Sequence, residues 1–77
     1  MSFNHDICLL AVNFIKTSID DNVSIDDMIT GLNELSTSIF GDGQSPLLDF
    51  VNKHLPTIVH HLEQKLTPEE VCTVMLV

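Results

Sequence analysis

Apolar positions recur along the chain in four stretches at helical spacing, separated by short polar breaks. Asp6 to about Ile19 predicts a first helix. Its apolar set (Ile7, Cys8, Leu9, Leu10, Ala11, Val12, Phe14, Ile15, Ile19) covers most of the circumference, and only Asn13, Lys16, Thr17 and Ser18 mark a polar side. A helix of this kind is either central or meets a second apolar partner. Asp20-Asp21-Asn22-Val23 ends it. Ser24 to about Phe40 predicts the second helix, with Ser24 as N-cap and Asp26 and Asp27 in the first turn. Gly31 weakens its middle by about 1 kcal/mol relative to Ala. After the turn Gly41-Asp42-Gly43-Gln44, Ser45-Pro46 opens a third stripe running through Leu47, Leu48, Val51, Leu55, Ile58, Val59, Leu62 and Leu66. Pro56 interrupts that stripe and predicts a kink or split near Leu55. Thr67-Pro68-Glu69-Glu70 is a capping box and opens a short fourth helix over Val71, Cys72, Val74, Met75 and Leu76. No strand alternation, internal repeat or low-complexity segment occurs.

Composition narrows the field. The 77 residues make one domain, 1–77, with a modest core that often needs a staple at this size. Leu, Ile and Val dominate the apolar residues, and Trp and Tyr are absent. Cys8 and Cys72 stand near opposite ends. In an oxidising compartment they would close a long loop; in a reducing one they would be two buried thiols. Spacing alone leaves both open. With three Lys, no Arg and eleven acidic residues, the formal charge is −8. That argues against nucleic acid and against a cationic peptide drawn to bilayers by charge. The longest apolar run, Ile7 to Val12, is far too short to span a membrane. No signal peptide is visible in Met-Ser-Phe-Asn-His-Asp, so a secreted domain would be represented here in its mature form.

Candidate chemistry is sparse. No phosphate loop, nucleophile elbow or zinc motif is present, so neither an enzyme nor a cofactor is expected. Asp20-x-Asn22-x-Ser24-x-Asp26 starts like a calcium loop. It then puts Ile25 where glycine is needed and Gly31 where the bidentate glutamate belongs. It reads better as an acidic turn, and no metal is expected. His54, His60 and His61 gather on the third stripe without a compact ligand motif. They read either as surface residues or as pH sensors, because histidine gains charge between neutral and lysosomal pH.

The order of helices, with one cysteine in the first and another in a short last helix, resembles the saposin-like family. The stretch Leu62-Glu63-Gln64-Lys65-Leu66-Thr67-Pro68-Glu69-Glu70-Val71-Cys72 looks like the family's approach to its fifth cysteine. Cys8-Leu9-Leu10-Ala11-Val12 looks like the region of its second. Those two are partners in the family, so the resemblance implies a Cys8–Cys72 disulfide. The other two pairs are missing. The first position falls on His5, the third on Ser36, the fourth near Ser45 to Leu47, and the sixth just past Val77. The hairpin of the second and third helices therefore lacks its usual bridge.

The resemblance implies an all-α, saposin-like bundle of four to five helices, with the third kinked or split near Pro56 and one disulfide closing it. It implies a lipid-binding or membrane-interacting protein that opens like a clasp, and the eleven acidic residues and four histidines make acid the expected trigger. Leu10, Phe14, Ile25, Ile29, Leu32, Val51, Leu55, Ile58 and Leu62 would then face lipid. The work would be extraction, transfer or presentation of lipid, with a homodimer and a lipid hydrolase as expected partners, in a secreted or lysosomal setting. Asn22-Val23-Ser24 is a glycosylation sequon where several saposins carry theirs, though such a triplet is also common in turns. One alternative is an amoebapore-type membrane-permeabilising protein. Another, of a different class, is a small helical interaction domain with reduced cysteines.

Overall fold

The computed structural model describes residues 3–43 and 45–75, and among these the regular structure is entirely helical. Helix α1 spans Phe3–Asp20, α2 Ile25–Phe40, α3 Pro46–Glu63 and α4 Pro68–Met75. The first helix starts three residues before the expected Asp6, and nothing in Phe3-Asn4-His5 opposes helix there. Gln44, Leu76 and the extreme ends of the expected pattern lie outside the described residues.

The caps explain the boundaries. Ser24 caps α2: the Asp27 N–H donates to its Oγ at 3.2 Å. Ser45 occupies the expected N-cap of α3, but its hydroxyl makes no capping bond, and Pro46 alone carries the start. The capping box of α4 is complete. Thr67 N–H donates to Glu70 Oε1 at 2.9 Å, and Glu70 N–H to Thr67 Oγ1 at 3.1 Å.

Helices α1 and α3 end alike. Beyond α1, Asn22 N–H reaches the Ile19 carbonyl and Val23 N–H the Ser18 carbonyl; beyond α3, Lys65 N–H reaches Leu62 and Leu66 N–H reaches His61. Both are Schellman ends, with Asn22 (φ 59°) and Lys65 (φ 70°) in the left-handed position glycine usually fills. Leu66, expected as the last residue of the third stripe, therefore stands outside α3, although it still packs against the core.

Pro56 does not split α3. The helix runs unbroken from Pro46 to Glu63 with the proline inside. The ring removes the bond to the Asn52 carbonyl. Asn52 and Pro56 are both exposed, so water reaches the acceptor that loses its partner. Of the expected kink or split, the split does not occur, and the proline lies on the exposed side of the helix.

The core gathers Ile7, Cys8, Ala11, Val12 and Ile15 of α1, Met28 and Leu32 of α2, Leu47, Val51 and Ile58 of α3, and Val71 and Cys72 of α4. The broadly apolar α1 is central, lying on α3 and α4 and, less extensively, on α2. Cys8 and Cys72 are bonded, with Cα atoms 5.8 Å apart across 64 residues of chain. This ties α1 to α4, while α2 and α3 form a hairpin held by packing. The Cα envelope is only 17 Å thick in its shortest direction, which fits two layers of helices. The radius of gyration of 11.7 Å is close to the roughly 11.5 Å of a compact chain of this length. The clasp is closed.

Gly31 has a packing role. A Cβ there would lie 2.6 Å from Cζ of Phe14, so the missing side chain lets the α1 ring seat on α2. Gly31→Ala is expected to give no net stabilisation in the native background. In a Phe14→Leu background the same change should recover about 1 kcal/mol of helix propensity. Denaturant midpoints of the four proteins test this. A full gain from Gly31→Ala alone would show that the ring does not need the space. For the staple, reduction of Cys8–Cys72 is expected to cost about 4 kcal/mol on the chain-entropy account. Paired oxidised and reduced unfolding curves measure it. Ready alkylation of both thiols in oxidised, folded protein would contradict the bond.

Candidate functional site: an apolar cleft where the layers join

The two helix pairs are joined by two turns, residues 21–24 between α1 and α2 and residues 64–67 between α3 and α4. Both lie at one end of the molecule. Ile19 and Asp20, at the end of α1, line the same cleft as Lys65, Leu66 and Thr67 of the second turn. Because each turn closes with the same Schellman hydrogen bonds, the chain leaves α1 and α3 in defined directions.

Beside these turns lies an apolar cleft of about 390 Å³, lined chiefly by Ile19, Val23, Ile25, Met28, Leu55 and Val59. That volume is in the range of small-ligand sites. Ile15 forms part of its wall, and Glu63 is the one charged side chain lining it. Ile19, Val23 and Ile25 are 44%, 41% and 63% exposed. Single exposed apolar residues are ordinary; here three of them are grouped on one cleft. The α1–α2 turn forces this exposure. Val23 follows the left-handed Asn22, and Ile25 is the first residue of α2, before the helix has reached the core.

A second cleft, about 280 Å³, adjoins the first through Ile19 and has Leu62 and Leu66 as further apolar walls. Lys16 and Lys65 line it. Lys16 Nζ lies 2.9 Å from Asp20 Oδ2 in an exposed pair one turn apart.

The residues expected to face lipid fall into three groups in this closed form. Leu32, Val51 and Ile58 are fully buried in the core. Ile25, Leu55 and Leu62 line the two clefts. Phe14 and Ile29 are half-buried, and Leu10 is exposed on α1. Sequence periodicity did not single out Ile19, Val23 or Val59 as cleft residues. The only signal was an apolar residue on each side of an acidic turn.

The histidines divide. His54 is half-buried with its ring 4.8 Å from that of Phe50, whereas His60 and His61 lie 5.7 Å apart near the end of α3. His60 Nε2 is 3.1 Å from Gln64 Nε2. Among the described residues no three His, Cys, Asp or Glu side chains converge as a metal set. The acidic turn at residues 20–26 places Ser24 Oγ as a helix cap. Asn22, the sequon residue, is exposed at the apex of that turn. No helix among the described residues is long and apolar enough to cross a membrane.

Fold and site together define a small, disulfide-closed helical bundle with an apolar cleft at the junction of its layers. Residues 48–76 match the family described as saposin-like type B, region 2. The matched stretch takes in most of α3, the Lys65 turn, the capping box and Cys72. No curated protein and no solved structure matches the chain. Domains of the saposin-like kind are generally non-catalytic, lipid-interacting modules.

If the cleft takes apolar ligands, Ile25→Asn should weaken binding of the neutral probe N-phenyl-1-naphthylamine. Losing part of one aliphatic side chain from the contact corresponds to about 1–2 kcal/mol, or roughly 5- to 30-fold. The thermal midpoint should hold, because Ile25 contributes little to the core. Fluorescence titration alongside a melting curve checks both. Unchanged probe affinity would remove the cleft from consideration.

Proposed function

We propose that this protein binds lipid in an acidic or extracellular setting and opens its clasp as the pH falls, exposing core residues to lipid for extraction, transfer or presentation to a hydrolase. The observation that carries this reading is the exposed Ile19, Val23 and Ile25 group on an apolar cleft beside both turns joining the layers. If the α2–α3 pair swings about those turns, Leu32, Val51 and Ile58 come into reach of lipid. Their burial there would offset the loss of core packing at roughly 25 cal/mol per Å². A core of aliphatic residues suits two packings of similar energy.

Charge supplies the trigger. At neutral pH the excess of carboxylates repels anionic headgroups. On acidification histidines gain charge and carboxylates begin to lose it. Both changes favour contact with an anionic bilayer. His54, His60 and His61 are the histidine contributors proposed. The bonded Cys8–Cys72 pair supports a secretory or lysosomal location over the reading with reduced cysteines. In that location the exposed Asn22 is an accessible glycosylation acceptor.

Co-sedimentation with phosphatidylserine vesicles at about pH 4.5 and about pH 7.4 tests the switch, since histidines titrate between those values. The bound fraction is expected to rise several-fold in acid, and equal binding would reject the proposal. Replacing the three histidines with Gln should blunt the response; a full response would assign it to the carboxylates. Vesicles that keep an entrapped dye during binding support carriage, whereas dye release at the same protein dose favours the permeabilising alternative.

A further inference from the structure

We propose that the two adjoining clefts form one site for a single-chain amphiphile with an anionic head, taken up by the closed form. This rests on the lipid-binding reading, but not on its acid-driven opening.

Three lysines are the chain's only lysine or arginine residues, set against eleven acidic residues, and two of the three line one cleft. Lys65 has no ion-pair partner within 4 Å among the described residues. Its backbone is fixed in the left-handed position by the Schellman end, so its side chain leaves a defined turn. Lys16 is paired with Asp20, but both side chains are exposed, and such a pair contributes little and exchanges readily. An anionic head at this cleft meets Lys65 directly and can share Lys16 with Asp20. Leu62 and Leu66 offer its first methylenes an apolar wall.

Ile19 lines both clefts, which places them side by side around that residue. Beyond it the walls are Val23, Ile25, Met28, Leu55 and Val59, with no cation among the lining residues. Glu63 there repels an anionic head. The site is therefore polarised, with the head on the lysine side and the tail in the apolar cleft. A bilayer lipid with two chains is a poor fit to a cleft of about 390 Å³ in a closed bundle; one alkyl chain suits it better.

The test uses the oxidised full chain at neutral pH and three probes: dodecyl phosphate below its micelle concentration, dodecanol and inorganic phosphate. Dodecyl phosphate is expected to bind one per chain by native mass spectrometry. Amide NMR shifts should centre on Lys16, Ile19, Val23 and Lys65. Dodecanol should bind at least tenfold more weakly, and inorganic phosphate should not saturate. Shortening the tail should cost about three- to four-fold per methylene. The double variant Lys16→Gln, Lys65→Gln should weaken dodecyl phosphate about tenfold and leave dodecanol unchanged. Ile19→Asn should weaken both, and all three residues are exposed, so the melting curves should stay close to the native one.

Equal affinity for dodecyl phosphate and dodecanol would overturn the proposal. So would saturable inorganic phosphate with no gain from a tail, or shifts confined to another face. If none of the probes binds while acid still drives vesicle association, this site is wrong and the lipid-binding reading stands. If dodecyl phosphate binds as expected while vesicles show no response to acid, the site stands and the switch falls.

Discussion

The bond between Cys8 and Cys72 sets what the rest of the molecule can do. It joins the first helix to the last across 64 residues, and both cysteines are completely buried. Ile7, Ala11, Val12 and Val71 belong to the same buried cluster, so the covalent tie lies within the core. Nothing comparable holds α2 and α3. The resemblance puts the family's third cysteine at Ser36, and that serine is buried on α2. The molecule thus has one half fixed by a covalent bond and one half without a disulfide. A domain of this size has only a small margin of stability. In the proposed opening, the uncrosslinked half is the part that moves.

Geometry channels that asymmetry. Both chain connections between the halves lie at one end, and each follows a helix that ends in the same pattern of hydrogen bonds. On the proposed opening, a hinge through the two turns would let the halves separate without breaking a helix or the disulfide. Such a motion would part α1 from α3 and lift the Phe14 ring off Gly31. The residues released would be aliphatic, with few polar partners to satisfy. The apolar cleft beside the turns is where that interior already reaches the surface in the closed form.

Much of this architecture can be read in the sequence, because its determinants are local. The capping box at Thr67–Glu70, the cap at Ser24 and the apolar stripes each depend on neighbours within a turn or two. The pairing of Cys8 with Cys72 came from family resemblance, not from spacing. What stayed hidden depends on solvent and on tertiary packing. Pro56 reads as a helix breaker until the exposed side it occupies is known. Leu66 continues the third stripe in periodicity, yet Lys65 turns the chain before it. Gly31 looks like a weak point in α2 and proves to be the seat of the Phe14 ring. The cleft was least legible. It is assembled from three helices and a turn, and residues such as Ile19 and Val59 belong to no motif.

The central claim is that the α2–α3 pair moves away from α1 while α1 and α4 stay bound together. Pulsed electron–electron resonance measures this directly, with spin labels on unnatural ketone side chains so that the disulfide is left intact. One pair of labels at the exposed positions Asn13 and Glu34 spans α1 and α2; a second at Asn13 and Thr73 spans α1 and α4. On acidification with anionic vesicles, the first distance should lengthen and the second should stay fixed. If the protein binds the vesicles with both distances unchanged, or if α4 leaves α1, the account of the clasp is contradicted.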